Sequence, residues 1–245
     1  MQKELKMQKI NHYIIKGEIE LISGMRIGGS DDVLQIGGTD LTCIKDPVTQ
    51  KPYIPGSSLK GKMRAGLEKR LGKSSSDGRE PCGCAKEDCA VCRVFGPHKN
   101  TNHMLGPTRI RVRDAALCPS SEFTIENKTE SVNNRKTGTA MHPRTVERVA
   151  PSAKFELRIE IDEYDLDTDF SYKKSDGGEL KGAEALLEVV DHALWELEQT
   201  GIGAGTSKGY GRVKINWDGK VEKSSRQSRN LHIVEAPVSG GRMEP

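Results

Sequence analysis

Hydrophobic and polar positions alternate from His12 to Ser23, HYIIKGEIELIS. Ile15, Ile19 and Leu21 fall on one side, and Lys16, Glu18 and Glu20 on the other. A period of two predicts a half-buried strand. The same rule predicts strands over Pro107 to Ala115, Phe155 to Asp162 and Gly211 to Trp217. In PTRIRVRDA it turns Ile110 and Val112 inward and Arg109, Arg111 and Arg113 outward. Two segments repeat at helical spacing instead. Leu59, Met63, Leu67 and Leu71 stripe a helix over Ser57 to Leu71, with Pro55 before it, Ser57 or Ser58 as its cap and Gly72 as its stop. Leu186, Val190, Leu194 and Leu197 stripe a second helix over Leu180 to Thr200. Gly61 and Gly66 inside the first helix suggest a close approach to its backbone. The order β-α-β-β-α-β predicts an α+β chain of ferredoxin-like (RRM-like) type, an antiparallel sheet backed by two helices.

Two stretches interrupt this order. Residues 73–106 hold a cysteine-rich insertion, and residues 117–153 a polar, basic one with little apolar content. The expected organisation is one domain over residues 1–217 and a charged, serine-rich, mobile tail over 218–245. Charged residues make up 30% and hydrophobic residues 34% of the 245, with a formal net charge of +3. That net charge does not by itself imply a nucleic-acid partner, but Lys60, Lys62, Arg64, Lys69 and Arg70 crowd one segment. Regular basic spacing suits a phosphate backbone, and equally a solvated face. No apolar run reaches membrane-spanning length and Met1 to Lys9 lacks a hydrophobic signal region, so no membrane and a cytoplasmic location are expected.

Gly56 to Lys62 fits G-x-x-x-x-G-K, yet Met63 stands where a phosphate-binding loop needs a magnesium-binding hydroxyl. KPYIP before it is too short and proline-rich for a buried parallel strand. A nucleotide hydrolase is therefore rejected. A glycine-serine turn opening a lysine-flanked helix remains an anion site, suited to RNA phosphate. In PCGCAKEDCAVC, Cys82, Cys84, Cys89 and Cys92 fall within eleven residues. That density predicts a structural zinc with no open position, with His98 or His103 as possible replacements for one cysteine. The run GIGAGTSKGYGRV, Gly201 to Val213, follows a helix and precedes a strand, the reverse of a dinucleotide site. It is expected to lay its backbone against a ligand or a neighbouring chain. Asp31, Asp32, Asp40 and Asp46 border the first glycine-rich loop, and a lone loop aspartate is more often a turn residue or cap.

SGMRIGGSDD, IGGTDLTCIKDP, YIPGSSLKGKMRAGLE, CRVFG, RIRVRDA, HPRTVERV and GAGTSKGYGRV occur in that order between Ser23 and Val213. Together they closely resemble the backbone subunit of type III-A (Csm) CRISPR effector complexes, in the RAMP superfamily. The resemblance implies several copies stacked head to tail along a CRISPR guide RNA, beside other effector subunits. It implies a ferredoxin-like palm that grips the guide, and a hairpin thumb around Glu126 to Arg148. It also implies metal-dependent cutting of paired target RNA, with magnesium the expected ion, by the ribose 2′-hydroxyl, leaving a 2′,3′-cyclic phosphate. The catalytic aspartate of the I-G-x-x-D segment maps to Asp40, with Asp31 and Asp32 as rivals and Asp46 a turn residue. The guide contacts carried over are Arg26, Ser57, Ser58, Lys60, Lys62 and Arg64, with Arg135, Arg144 and Arg148 as thumb contacts. A subunit that only holds RNA, while another chain cuts, is the alternative. The cysteine cluster before Phe95-Gly96 departs from many members of the subunit family. Few aromatics (4%) argue against base stacking and for tracking of the phosphate backbone.

Overall fold

The computed structural model describes residues 7–28, 42–74, 78–174, 177–225 and 228–236 of the chain. In chain order the strands and helices begin with β1 (Lys9–Leu21), β2 (Tyr53–Ile54), α1 (Gly56–Arg70) and α2 (Ala90–Phe95). Next come β3 (Ile110–Val112), β4 (Ala115–Ala116), β5 (Ile125–Asn133), β6 (Ala140–Val149) and β7 (Lys154–Tyr164). The order ends with β8 (Ser171–Lys173), β9 (Glu179–Lys181), α3 (Gly182–Thr200), β10 (Val213–Asn216), β11 (Lys220–Ser225) and β12 (Ser228–Glu235). The fold is mixed α+β with antiparallel sheets.

The main sheet runs β12-β11-β1-β7-β3, and β10 pairs with the far half of β1. The period-two segments fold as expected because their odd positions meet across the ladder. Ile15 faces Ile159, Ile19 faces Phe155, and Tyr13 faces Ile161. All six are buried, and α1 and α3 cover that face with Leu59, Met63 and Leu67 and with Leu186, Val190, Leu194 and Leu197. The helices touch where a Cβ on Gly66 would lie 2.7 Å from Glu196 Cβ, whereas Gly61 faces open space. One of the two helix glycines therefore answers to a close approach. The other face of the sheet is charged. Glu160 accepts from Arg111, Arg113 and Arg158, and Asp162 accepts from Lys9, His12 and Arg111.

Three expectations need correction. Arg109 does not point outward with Arg111 and Arg113. It is fully buried, and its Nε and second terminal nitrogen each donate to an Asp167 oxygen at 2.8 Å. Residues 220–225 and 228–235, expected to be a mobile tail, are the strands β11 and β12. β11 is ordered by its ladder to β1, in which buried Val221 faces Ile15, and β12 pairs in turn with β11. The second helix begins at Gly182, because Glu179–Lys181 pairs with β8 instead. No helix among the described residues is long and apolar enough to cross a membrane.

Candidate functional site

The amino end of α1 is prepared by its neighbours. Pro55 precedes the helix, and neither Ser57 nor Ser58 caps it with its side chain, against expectation. The Gly56 N–H donates to Asp114 Oδ1 at 2.7 Å, so a carboxylate of this chain already meets part of the helix end. Ser57 is exposed and Ser58 half-buried in the first turn. Lys60 is half-buried and donates to the Ile110 carbonyl at 3.4 Å. Burial, then the nearby Arg64 charge, pushes its pKa down. Burial and Lys69 do the same to Lys62. Arg64 sits on the Lys60 face but is engaged: Nε donates to Glu68 Oε1 at 2.8 Å and a terminal nitrogen to the Cys82 carbonyl at 2.7 Å.

That clip docks the cysteine segment on α1, since Glu68 also accepts the Cys82 N–H at 2.9 Å. The Sγ atoms of Cys82, Cys84, Cys89 and Cys92 all lie within 4.8 Å of one another. Cys82 to Cys89 is 3.9 Å, Cys84 to Cys92 is 3.7 Å and Cys82 to Cys92 is 3.7 Å. Disulfides would need about 2.05 Å. A tetrahedral thiolate site with metal–sulfur bonds of about 2.3 Å has edges of about 3.8 Å, so the four sulfurs fit a metal ion. The hydrogen bond with Cys92 holds Cys89 down at about 5 and pushes Cys92 up, so one of the pair gives up its proton readily. Neither His98 nor His103 belongs to this group. Cys89 stands at the N-cap of α2 and Cys92 lies within it, and all six residues of that helix are buried, so the cluster is tied into the core.

A second assembly forms where the glycine-rich loop meets the β5–β6 hairpin. The loop is covered in part, with Ala204, Ser207, Lys208 and Gly209 exposed. It packs on its own chain, with the Ala204 N–H donating to the Arg26 carbonyl at 2.8 Å and the Gly211 N–H to the Gly24 carbonyl at 3.0 Å. A Cβ on Gly203 would stand 2.3 Å from the Arg26 oxygen, and φ there is +83°, so glycine is required. Met25 in turn bridges Val149 of the hairpin. Farther out, Glu130 accepts from Tyr210 Oη at 2.6 Å, Arg144 at 2.9 Å and Lys208 at 3.3 Å. Those bonds, Tyr210 first, hold the Glu130 carboxyl down at about 2. Lys128 and Arg148 lie 4.6 and 5.0 Å from the centre of the Tyr210 ring, and Arg148 donates to Glu126 at 2.5 Å.

The structure thus gathers Arg26, Arg144 and Arg148 at the loop–hairpin junction. Ser57, Ser58, Lys60, Lys62 and Arg64 lie on α1, and Arg135 at the exposed hairpin turn. Arg26 is buried. Asp46 is a turn residue that accepts from Val48 N–H, Thr49 N–H and the Thr49 hydroxyl. Asp31, Asp32 and Asp40 lie outside the described residues. Asp114, Glu130, Glu147 and Tyr210 were missed. Glu147 Oε1 accepts the Cys43 N–H at 3.2 Å and Lys45 at 2.8 Å. Tyr210 stood inside a quoted motif, but its partner lies eighty residues away in sequence.

A family model described as the RAMP superfamily matches residues 18–214. The chain belongs to that superfamily. This RAMP chain is 37% identical over 249 residues to the CRISPR system Cms endoribonuclease Csm3 of Methanothermobacter thermautotrophicus, with 93% of the chain and 87% of the relative covered. The protein of the same name from Methanocaldococcus jannaschii is 37% identical over 211 residues, covering 82% of the chain and 77% of the relative. Among solved structures, the Csm3-Csm4 subcomplex of the type III-A CRISPR-Cas interference complex contains a similar chain. Its TM-score is 0.57 at 26% identity, with 93% of this RAMP chain and 90% of that one covered.

Proposed function

We propose that the chain is the endoribonuclease backbone subunit of a type III CRISPR ribonucleoprotein. In this reading it binds guide RNA along the phosphates, stacks head to tail with copies of itself and joins other effector subunits. It cuts complementary target RNA at regular intervals. The observation that carries the reading is coverage. The family match over residues 18–214 spans Ile36 to Asp40, α1, the hairpin and the glycine-rich loop in one frame, and the relatives that cover most of the chain bear the name endoribonuclease.

The core is read as a ferredoxin-like palm over residues 1–217. The antiparallel order β10-β1-β7-β3, with α1 and α3 on one face, supports this. Residues 117–153 form the thumb and residues 73–106 the metal-bearing insertion. Cys82, Cys84, Cys89 and Cys92 hold a structural zinc, which supplies a cross-link and no chemistry because all four positions are taken.

Asp40 is assigned as the catalytic residue. It accepts the proton of the target ribose 2′-hydroxyl. The freed oxygen attacks the adjacent phosphorus, the bond to the 5′ oxygen breaks, and that oxygen leaves with a proton from solvent. The products are a 2′,3′-cyclic phosphate and a 5′-hydroxyl. A divalent ion, magnesium by preference, would stabilise the charge that develops on the phosphate. Guide phosphates are assigned to Ser57, Ser58, Lys60 and Lys62 on α1 and to Arg26. Arg64 joins them if it exchanges Glu68 for phosphate. Arg135 and Arg144 act from the thumb. End-group analysis tests the chemistry: fragments resistant to phosphatase until acid opens a cyclic phosphate support it, and 3′-hydroxyl fragments overturn it.

A further inference from the structure

We infer that Glu130 and Tyr210 are positioning residues that lock the β5–β6 hairpin at one angle to the glycine-rich loop, and so fix where along a bound RNA the cut falls. The inference rests on the endoribonuclease reading but draws its geometry from the described residues alone.

Among the described residues, the root of the hairpin is held by a backbone bridge, where Met25 and Val149 exchange N–H donors at 2.9 and 2.8 Å, and by Glu147, which accepts from the Cys43 N–H and from Lys45. These attachments all sit at the root and leave the outer part of the hairpin to be fixed elsewhere. An attachment farther out fixes the angle of the hairpin, and Glu130 supplies it. The residue stands five positions along β5 from Ile125, the partner of Val149, which is about 17 Å of strand. There its carboxylate takes the Tyr210 hydroxyl and the Lys208 ammonium from the loop, and Arg144 from its own hairpin. Tyr210 cannot drift with it. The side chain is only 4% exposed, and its N–H donates to the Gly205 carbonyl at 3.2 Å. The loop itself is pinned on Gly24 and Arg26. Beyond Glu130, residues 131–143 are exposed apart from a partly buried Asn134, so the latch sits at the boundary between a held root and a solvated tip.

The angle also reaches the other side of the hairpin. Glu147 on β6 accepts the Cys43 N–H, and the Cys43 sulfur donates to the Glu147 carbonyl at 3.2 Å. Cys43 follows Asp40 by three positions in the chain. A hairpin released at Glu130 therefore pulls on a strand that carries the anchor of Cys43.

The test uses the reconstituted guide-loaded complex with Tyr210→Phe, Glu130→Gln and the double variant. Cleavage ends are mapped to single nucleotides and target affinity is measured in parallel. We expect unchanged target affinity, regular cuts that spread onto neighbouring phosphodiesters, and a single-turnover rate reduced about 10- to 100-fold. The double variant should be no worse than the worse single one, because both remove one latch. A merely structural role would lower stability and leave the cut positions alone. Wild-type positions and rate in both single variants would overturn the inference. A second readout needs no chemistry: the distance distribution between spin labels at Lys136 on the hairpin turn and Lys69 on α1 should broaden in Tyr210→Phe. An unchanged distribution overturns the latch, whereas a wild-type complex that never cuts overturns the nuclease reading instead.

Discussion

Asp114 and Gly56 are joined across the end of α1, with the Gly56 N–H donating to Asp114 Oδ1 at 2.7 Å. The segment that imitates a phosphate-binding loop thus meets a carboxylate of its own chain. Asp114→Ala should lower stability by about 1 kcal/mol, as loss of a helix cap does, measured by urea unfolding. Asp114→Asn keeps the acceptor and drops the charge. It should keep the stability and bind guide RNA more tightly at low salt. Weaker RNA binding by Asp114→Asn would place the carboxylate in the binding machinery.

The purified chain should carry one tightly held zinc. Metal analysis of Cys92→Ser should show loss of the ion, and its thermal midpoint should fall, because the cluster ties α2, which carries Cys92, to the segment before it. Full metal content in Cys92→Ser would remove the four-cysteine site.

Asp167 stands fully buried against two arginines, Arg109 and Arg93. Asp167→Ala leaves both guanidiniums without their carboxylate and should cost about 3–5 kcal/mol. Replacing Arg109 and Asp167 together with apolar residues of similar size should recover much of that loss. Urea midpoints of the three variants decide between these outcomes.

Acid should unfold the charged sheet face in a defined window. The Arg113 hydrogen bond, against burial and with help from Arg158 and Arg111, holds Glu160 down at about 2. For Asp162, burial pushes up but is outweighed by Arg111, Lys9 and His12, which leave it at about 2 as well. Both folded values lie below the ordinary carboxylate value near ~4, so between them the unfolded state binds more protons. The stabilisation is complete above about pH 5 and is lost as pH falls from about 4 through 2. Urea midpoints for Glu160→Gln with Asp162→Asn should therefore fall less steeply over that range than those of wild type. Parallel slopes would contradict the prediction.

Alternation from Phe155 to Ile161 was legible because that stretch of β7 is apolar on one face, with Phe155, Ile159 and Ile161 opposite Ile19, Ile15 and Tyr13 of β1. The same rule misplaced Arg109. Period alone cannot see a carboxylate 58 residues away that draws a guanidinium inward. It also missed β11, whose mostly polar sequence KVEKSS is ordered by pairing with β1 rather than by its own pattern. Cys82, Cys84, Cys89 and Cys92 were legible because the chain delivers all four ligands within eleven residues. Glu130 with Tyr210, and Glu147 with Cys43, were not, since each pair joins distant segments that only the tertiary fold brings together.

Cleavage of a guide-complementary RNA by the reconstituted complex, wild type beside Asp40→Ala, with magnesium and with EDTA, tests the nuclease assignment most directly. The expected result is regularly spaced cuts that vanish in Asp40→Ala and in EDTA while guide and target binding persist. Equal cutting by Asp40→Ala would contradict the assignment and move the chemistry to Asp31, Asp32 or another subunit.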